Sequence, residues 1–232
     1  MSLIAGLVLV PSPVSGKEEE SGLRHLPNNE KATFYLLIPP TYKKSRTYPL
    51  LVSLHGAGEK GDRMVRYWKR AAADRGFVLC CPNSVGFSWA QADVNRILTI
   101  MEYVLRTYSV DRKRILLNGI SAGGMVTYYL GFMVPNLFPC INPMSAALND
   151  SFLPLLKKAK PMPVFITHGA KDTTIPPSAG RKAAEILRKR GFDVTYLERP
   201  EDGHEVPEGV QERILLWAEG KWKKGKTSPR ER

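Results

Sequence analysis

The sequence predicts an α/β fold, a mostly parallel central sheet with helices on both faces. Three observations carry that prediction. Apolar runs of strand length alternate with segments of helical spacing from residue 48 to the end, the pattern of right-handed crossovers between parallel strands. Some of the runs, Phe77-Val78-Leu79-Cys80-Cys81 among them, are continuously apolar, which suits a strand buried on both faces. The composition is that of one large globular domain: 232 residues, 43% hydrophobic and 24% charged. Disorder, collagen-like repeats and a coiled coil are excluded as the main architecture. No stretch approaches the ~18–20 apolar residues of a membrane-spanning helix.

Each element follows from local pattern. Leu3 to Val10 reads as a first strand, and residues 11–30, polar with three successive glutamates, as a long turn or loop. Ala32 to Ile38 is an apolar strand ended by Pro39-Pro40, and Tyr48 to Leu54 a second run bounded by Gly56 and Gly58. Arg63 to Arg75 has helical spacing with Gly76 as its stop, followed by the strand Phe77 to Cys81. The helix from Gln91 to Tyr108 is the clearest, because Val94, Ile97, Leu98, Met101, Val104, Leu105 and Tyr108 share one face. Arg114 to Asn118 is a buried strand, Ala122 to Met133 a helix stopped by Pro135, and Phe138 to Met144 the next strand. Pro163 to Thr167 is a short strand, Arg181 to Arg190 a helix closed by Gly191, and Asp193 to Leu197 the last strand. The final helix starts near Pro207. One domain is expected over residues 1–220, with 221–232 as a flexible basic tail.

The net charge is +12, from 34 basic and 22 acidic residues. Such a charge permits contact with nucleic acid, anionic lipid or acidic glycans but does not bear on fold. Six basic residues and one acid lie between Lys221 and Arg232, so +5 of the charge is assigned to the tail. The three cysteines, Cys80, Cys81 and Cys140, are odd in number and two are adjacent, which reads as buried thiols rather than a disulfide framework. The apolar N-terminus also has the length of a signal h-region, but lacks a positive n-region. The compartment stays open, with a cytoplasmic location preferred and secretion allowed if that segment is a leader.

The chemistry lies in Gly119-Ile120-Ser121-Ala122-Gly123, a G-x-S-x-G string set between a strand and a helix. That turn forces Ser121 into a strained backbone with its hydroxyl above the sheet. A side chain at 119 or 123 would collide with the neighbouring strand or helix. The helix N-terminus aims backbone N–H groups to where an oxyanion develops. A serine nucleophile needs a base, and the base an orienting acid, in the order Ser, acid, His for this turn. Only His168 and His204 lie downstream. Asp172 and His204 each follow a strand at the carboxyl edge of the sheet, where α/β sites are built. The expected catalytic set is therefore Ser121, Asp172 and His204. His168 is the rival base, Asp150 the rival acid, and Glu201 and Asp202 lie too near His204 in sequence to orient it easily. The loop His55-Gly56-Ala57-Gly58-Glu59 should supply a second oxyanion donor, with the N–H of Ala57 acting beside that of Ala122. Trp89 is a candidate wall of a substrate pocket, and Met125 a candidate contact from the nucleophile helix. About 17 residues separate Met144 from Pro163, too few for a lid domain. No phosphate loop, dinucleotide fingerprint or metal-ligand set is visible, so no cofactor and no metal are expected.

These residues make the chain recognisable. Tyr48-Pro-Leu-Leu-Val-Ser-Leu-His-Gly-Ala-Gly58, Asp93-Val94, Tyr108-Ser-Val-Asp-Arg112, Arg114-Ile115 and Gly119-Ile-Ser-Ala-Gly-Gly124 resemble the α/β-hydrolase superfamily. Within it they look like the esterases that include polyhydroxybutyrate depolymerases and feruloyl and acetylxylan esterases. His168-Gly-x-x-Asp172 and Gly203-His204 are similar to that family and to its phospholipase/carboxylesterase relatives. The resemblance implies metal-free hydrolysis of a small-molecule or glycan-linked ester by the serine. The paired cysteines of many secreted members are absent, as is any polymer-binding module. The alternatives are a thioesterase, lysophospholipase-like or peptidase-like hydrolase, or a basic binding protein on the same scaffold. No specific nucleic-acid partner is expected, and the chain is taken as a monomer or homodimer.

Overall fold

The structure, a computed structural model, describes residues 22–26 and 29–224. Eight strands occur among them: β1 (Gly22–Leu26), β2 (Asn29–Leu37), β3 (Tyr48–Leu54), β4 (Val78–Pro82), β5 (Val110–Ile120), β6 (Cys140–Met144), β7 (Pro163–Gly169) and β8 (Asp193–Arg199). They form one sheet in the order β1-β2-β4-β3-β5-β6-β7-β8. β2 is antiparallel to both β1 and β4, and every pairing from β4 through to β8 is parallel. The helices are α1 (Gly61–Asp74), α2 (Gln91–Thr107), α3 (Ala122–Met133), α4 (Leu153–Lys158), α5 (Pro177–Lys189) and α6 (Gln211–Lys224).

Period-two alternation in the central strands splits the core into two layers. Leu50, Val52, Leu54, Ile115, Leu117, Ile141, Val164 and Ile166 face α2, α3 and α5. Leu51, Leu79, Cys81, Leu116, Cys140 and Phe165 face α1 and α6 on the other side. All seven residues of β3 are buried, as are all five of β4 and of β6, which is why these runs carry almost no polar residues. The three cysteines are free thiols and fully buried.

The polar residues that do enter the sheet interior bond to one another. Ser53 Oγ (2.6 Å) and Trp68 Nε1 (3.0 Å) both donate to Asn118 Oδ1. Asn118 Nδ2 donates to Asn142 Oδ1 (2.9 Å), and Asn142 Nδ2 to the Phe165 carbonyl (2.6 Å). This chain ties β3, β5, β6, β7 and α1 together beneath the carboxyl edge, and leaves neither amide without partners in a dry interior.

Several boundaries depart from the sequence reading. β1 lies inside the stretch read as loop. Only Leu26 of its five residues is buried, so its local pattern is weak, and pairing with β2 is what makes it a strand. The expected strand Leu3–Val10 lies outside the described residues. β5 begins at Val110, four residues early, and α5 at Pro177, where proline suits the first helical turn. The link from β6 to β7 contains a short 3-10 turn (Asp150–Phe152) and α4, and no lid domain. α6 runs to Lys224, so residues 221–224, expected in the tail, are helical. The reason is packing: Lys221 Nζ pairs with Asp193 at 2.5 Å, and the Trp222 ring lies 5.9 Å from that of Phe77. The rest of the expected tail lies outside the described residues.

Candidate active site

Ser121 joins β5 to α3 with φ 53° and ψ −119°. A non-glycine residue at positive φ costs on the order of 1–3 kcal/mol and persists only where its surroundings over-determine it. Here the Ser121 N–H donates to the Met144 carbonyl at 3.0 Å, and its own carbonyl accepts from Met125 N at 3.0 Å. Close approach is what the flanking glycines permit. A Cβ on Gly123 would sit 2.5 Å from the carbonyl oxygens of Leu54 and His55, and one on Gly119 would sit 2.4 Å from Gly123 O. The turn can therefore press directly against the end of β3.

The serine hydroxyl meets an imidazole. Ser121 Oγ is 2.9 Å from His204 Nε2, and His204 Nδ1 is 2.8 Å from Asp172 Oδ2. A carboxylate oxygen only accepts, so Nδ1 carries the ring proton and Nε2 is left to accept from the serine. Asp172 is almost fully buried. Its Oδ1 accepts from the amides of Thr174 (2.9 Å) and Ile175 (2.8 Å), which orients Oδ2 toward His204.

Two loops must meet for this geometry, and Gly169 allows it. A Cβ there would lie 2.3 Å from Gly203 O and 2.4 Å from Asp202 O. The chain that carries His204 thus crosses directly over the end of β7, and Lys171 N donates to Asp202 O at 2.9 Å to hold the crossing. His168 sits behind this junction, fully buried. Its Nε2 donates to Ile175 O at 2.8 Å and lies 3.3 Å from Asp172 Oδ2. It braces the acid at Oδ2, the oxygen that also meets His204.

The loop after β3 lies beside the serine. A Cβ on Gly56 would be 3.7 Å from Ser121 Cβ. Gly56 N donates to Glu59 Oε2 (3.1 Å), Gly58 N to Phe87 O (2.6 Å) and Glu59 N to Gly56 O (3.4 Å). Among the described residues no acceptor faces Ala57 N, and Ala57 is exposed. Ala122 N occupies the first turn of α3, where amides have no intrahelical acceptor. Both amides expected as oxyanion donors are thus uncommitted.

His55 anchors that loop. Ser84 N donates to its Nε2 at 3.1 Å, so Nδ1 bears the proton and donates to Gly56 O at 2.7 Å. Burial, with Lys60 acting in the same direction, holds its pKa below the ordinary value against the opposing pull of the Gly56 bond. Trp89 lies on His55 with ring centroids 4.5 Å apart, and its Nε1 donates to His55 O at 2.9 Å. One face and the only donor of that indole are therefore taken up in bracing the loop. Met125 is half-buried and packs on the core layer beneath α3.

The rival residues stand elsewhere. Asp150 is exposed and lies 4.0 Å from Lys182. Asp202 pairs with Arg199 at 2.9 Å, and Glu201 pairs with Lys171. Among the described residues no group of three or more His, Cys, Asp or Glu side chains is placed to hold a metal ion. Sequence reading missed Glu59, Gly169 and Ser145. Ser145 has φ 43° and donates from its N to Thr167 O at 2.8 Å, which fixes the neighbouring Met144 carbonyl that holds Ser121. A glycine there would have flagged the conformation, but serine gives no such signal. Gly169 was legible in principle, as a glycine at the end of a strand.

A sequence profile of the phospholipase/carboxylesterase family matches residues 82–215. A bifunctional acetylxylan esterase/xylanase of Neocallimastix patriciarum is 30% identical over 134 residues, covering 55% of this chain and 20% of that protein. Acyl-protein thioesterase 1 of Gibberella zeae is 31% identical over 106 residues, covering 43% of this chain and 45% of that protein. The chain thus spans less than half the length of either curated relative. Among solved structures, a thermostable esterase superposes with a TM-score of 0.65 at 23% identity, over 83% of this chain and 56% of that one, which is a likeness of fold.

Proposed function

The chain belongs to the phospholipase/carboxylesterase family, and from that premise we propose that it is a serine carboxylic-ester hydrolase working through an acyl-enzyme. One observation carries the reading: the continuous line from Ser121 Oγ through His204 to Asp172, with contacts of 2.9 Å and 2.8 Å. Ser121 Oγ attacks the ester carbonyl carbon while His204 Nε2 takes its proton. The carbonyl oxygen becomes an oxyanion, received by the N–H groups of Ala57 and Ala122. As the tetrahedral species collapses, the C–O bond to the alcohol breaks and His204 returns the proton to the departing oxygen. Water then attacks the acyl-enzyme with His204 again as base, and the acid leaves. Asp172 keeps the imidazole in the tautomer that both steps need.

The substrate class is a small, aryl or acyl ester, of the feruloyl, acetylated-sugar or short-chain kind. Ser121→Ala should lower kcat for p-nitrophenyl esters on the order of 10^4-fold or more. It should also abolish fluorophosphonate labelling while circular dichroism stays unchanged. Ester hydrolysis by that variant at the wild-type rate would refute the assignment. The thioesterase likeness favours a second reading, hydrolysis of an acyl thioester by the same machinery. The kcat/KM ratio between matched ester and thioester substrates separates the two.

A further inference from the structure

The loop Asn83–Ala90, between β4 and α2, is fastened along most of its length. Ser84 N donates to His55 Nε2 (3.1 Å), Lys60 Nζ to Ser84 O (2.7 Å) and Gly58 N to Phe87 O (2.6 Å). Val85 N and Ala90 N donate to the buried Asp93 carboxylate at 3.2 Å and 2.9 Å. Two side chains of this fastened loop nonetheless stand in solvent. Phe87 is 78% exposed, the most of any large hydrophobic residue described, and Val85 is 49% exposed. A flexible loop can fold such a ring away, but this one is pinned with its ring out. The ring forgoes the gain of burial in the free protein.

Its position relative to the site gives it a use. The ring edge would be 3.0 Å from a Cβ on Gly58. Gly58 follows Ala57, whose amide is uncommitted, and Gly56, which adjoins Ser121. The ring and the serine thus touch positions two Cα steps apart on one loop, about 3.8 Å per step. An arm that extends from the reacting carbonyl along this loop would meet the ring. The β4–α2 loop also stands at the carboxyl edge of the sheet, on the side where Ser121 projects.

We propose that Phe87, with Val85 beside it, is a specificity-determining apolar shelf for the arm of the ester, selecting substrates with an aryl or extended aliphatic arm over those with short arms only. The proposal rests on the ester-hydrolase reading and deepens it by naming the substrate feature. The shelf receives apolar surface only, and the reacting centre stays with Ser121 and the Ala57 and Ala122 amides. The arm can belong to the acid or to the alcohol, and the test separates these sources.

Two ester series are needed on wild type, Phe87→Ala and Phe87→Leu. The first holds the alcohol as methyl and varies the acid through acetyl, octanoyl and hydroxycinnamoyl. The second holds the acid as acetyl and varies the alcohol through methyl, octyl and naphthyl. Phe87→Ala should lower kcat/KM for the long or aryl arms of one series by roughly ten-fold or more, and leave methyl acetate within about two-fold. Phe87→Leu should recover most of the loss for the octyl or octanoyl arm. A labelled, active enzyme whose Phe87→Ala variant keeps the wild-type ratio of long to short arms overturns the proposal alone. So does a Phe87→Ala variant that only splits a dimer, seen by sedimentation, with that ratio unchanged. A wild-type chain that takes no fluorophosphonate and cleaves no ester in either series overturns the ester-hydrolase reading and this proposal with it.

Discussion

His55 takes no part in the proposed proton transfers, yet it sets the loop that carries the Ala57 amide. Its Nε2 accepts from Ser84, so a proton there would break the bond between two loops. Burial already holds its pKa below the ordinary 6.5. Below pH 6.5 the unfolded chain takes up a proton at this position that the folded chain refuses. The contribution to stability is therefore full above that pH and is lost as the pH falls toward the folded value, by at most about 1.4 kcal/mol per pH unit. Urea midpoints between pH 7 and pH 5 should fall faster for wild type than for His55→Asn, even though the variant starts less stable. Equal slopes would remove His55 from the acid limb. At this scale much of the site was legible. The order of Ser121, Asp172 and His204, each after a strand, pointed to residues that the structure brings within hydrogen-bond distance. What was not legible is backbone. The positive φ of Ser145 is set with a partner far along the chain, Thr167, and the Gly56 amide is committed to the Glu59 side chain by the way the loop turns, which residue types alone do not show.

Where elements meet, one glycine decides whether the loops after β7 and β8 can touch. Gly169→Ala places a methyl group where Gly203 O stands 2.3 Å away, and backbone has no rotamer with which to yield. The chain carrying His204 must shift, and the Nε2–Oγ contact with it. The variant should fold, retain its circular dichroism, and lose roughly 10–100-fold in kcat/KM, as misplacement of a catalytic group by about 1 Å does. Its fluorophosphonate labelling should slow in proportion, and wild-type kinetics would show that the crossing is looser than the contact implies. The same dependence on distant partners explains which elements the sequence hid. β4 and β6 are buried over their whole length and announce themselves. β1 borrows its conformation from β2 across an edge. α4 has six residues, too few for a helical period to emerge.

Taken as a molecule, the chain is a sheet covered on both sides, and its charge lies outside that design. Lys221, counted with the tail, is drawn onto Asp193 and lies 5.8 Å from the Trp217 ring, so part of the terminal charge belongs to the folded body. The three thiols have a further consequence. Cys80 faces the layer under α2 and α3, while Cys81 and Cys140 face the layer under α1 and α6. Burial raises all three pKa values, and only thiolate reacts, so the closed molecule presents almost no nucleophilic sulfur. Alkylation then keeps time for opening. In native buffer Ellman's reagent should titrate almost nothing within minutes, whereas in denaturant it should find three thiols. Peptide mapping after slow iodoacetamide treatment reads which part opens first. Equal rates at all three positions report a sheet that comes apart as one body. Faster modification of Cys80 and Cys81 than of Cys140 reports β4 peeling away with β1 and β2 while the strands beneath Ser121 stay shut. The chain thus carries its own stopwatch, with one mark on one layer and two on the other.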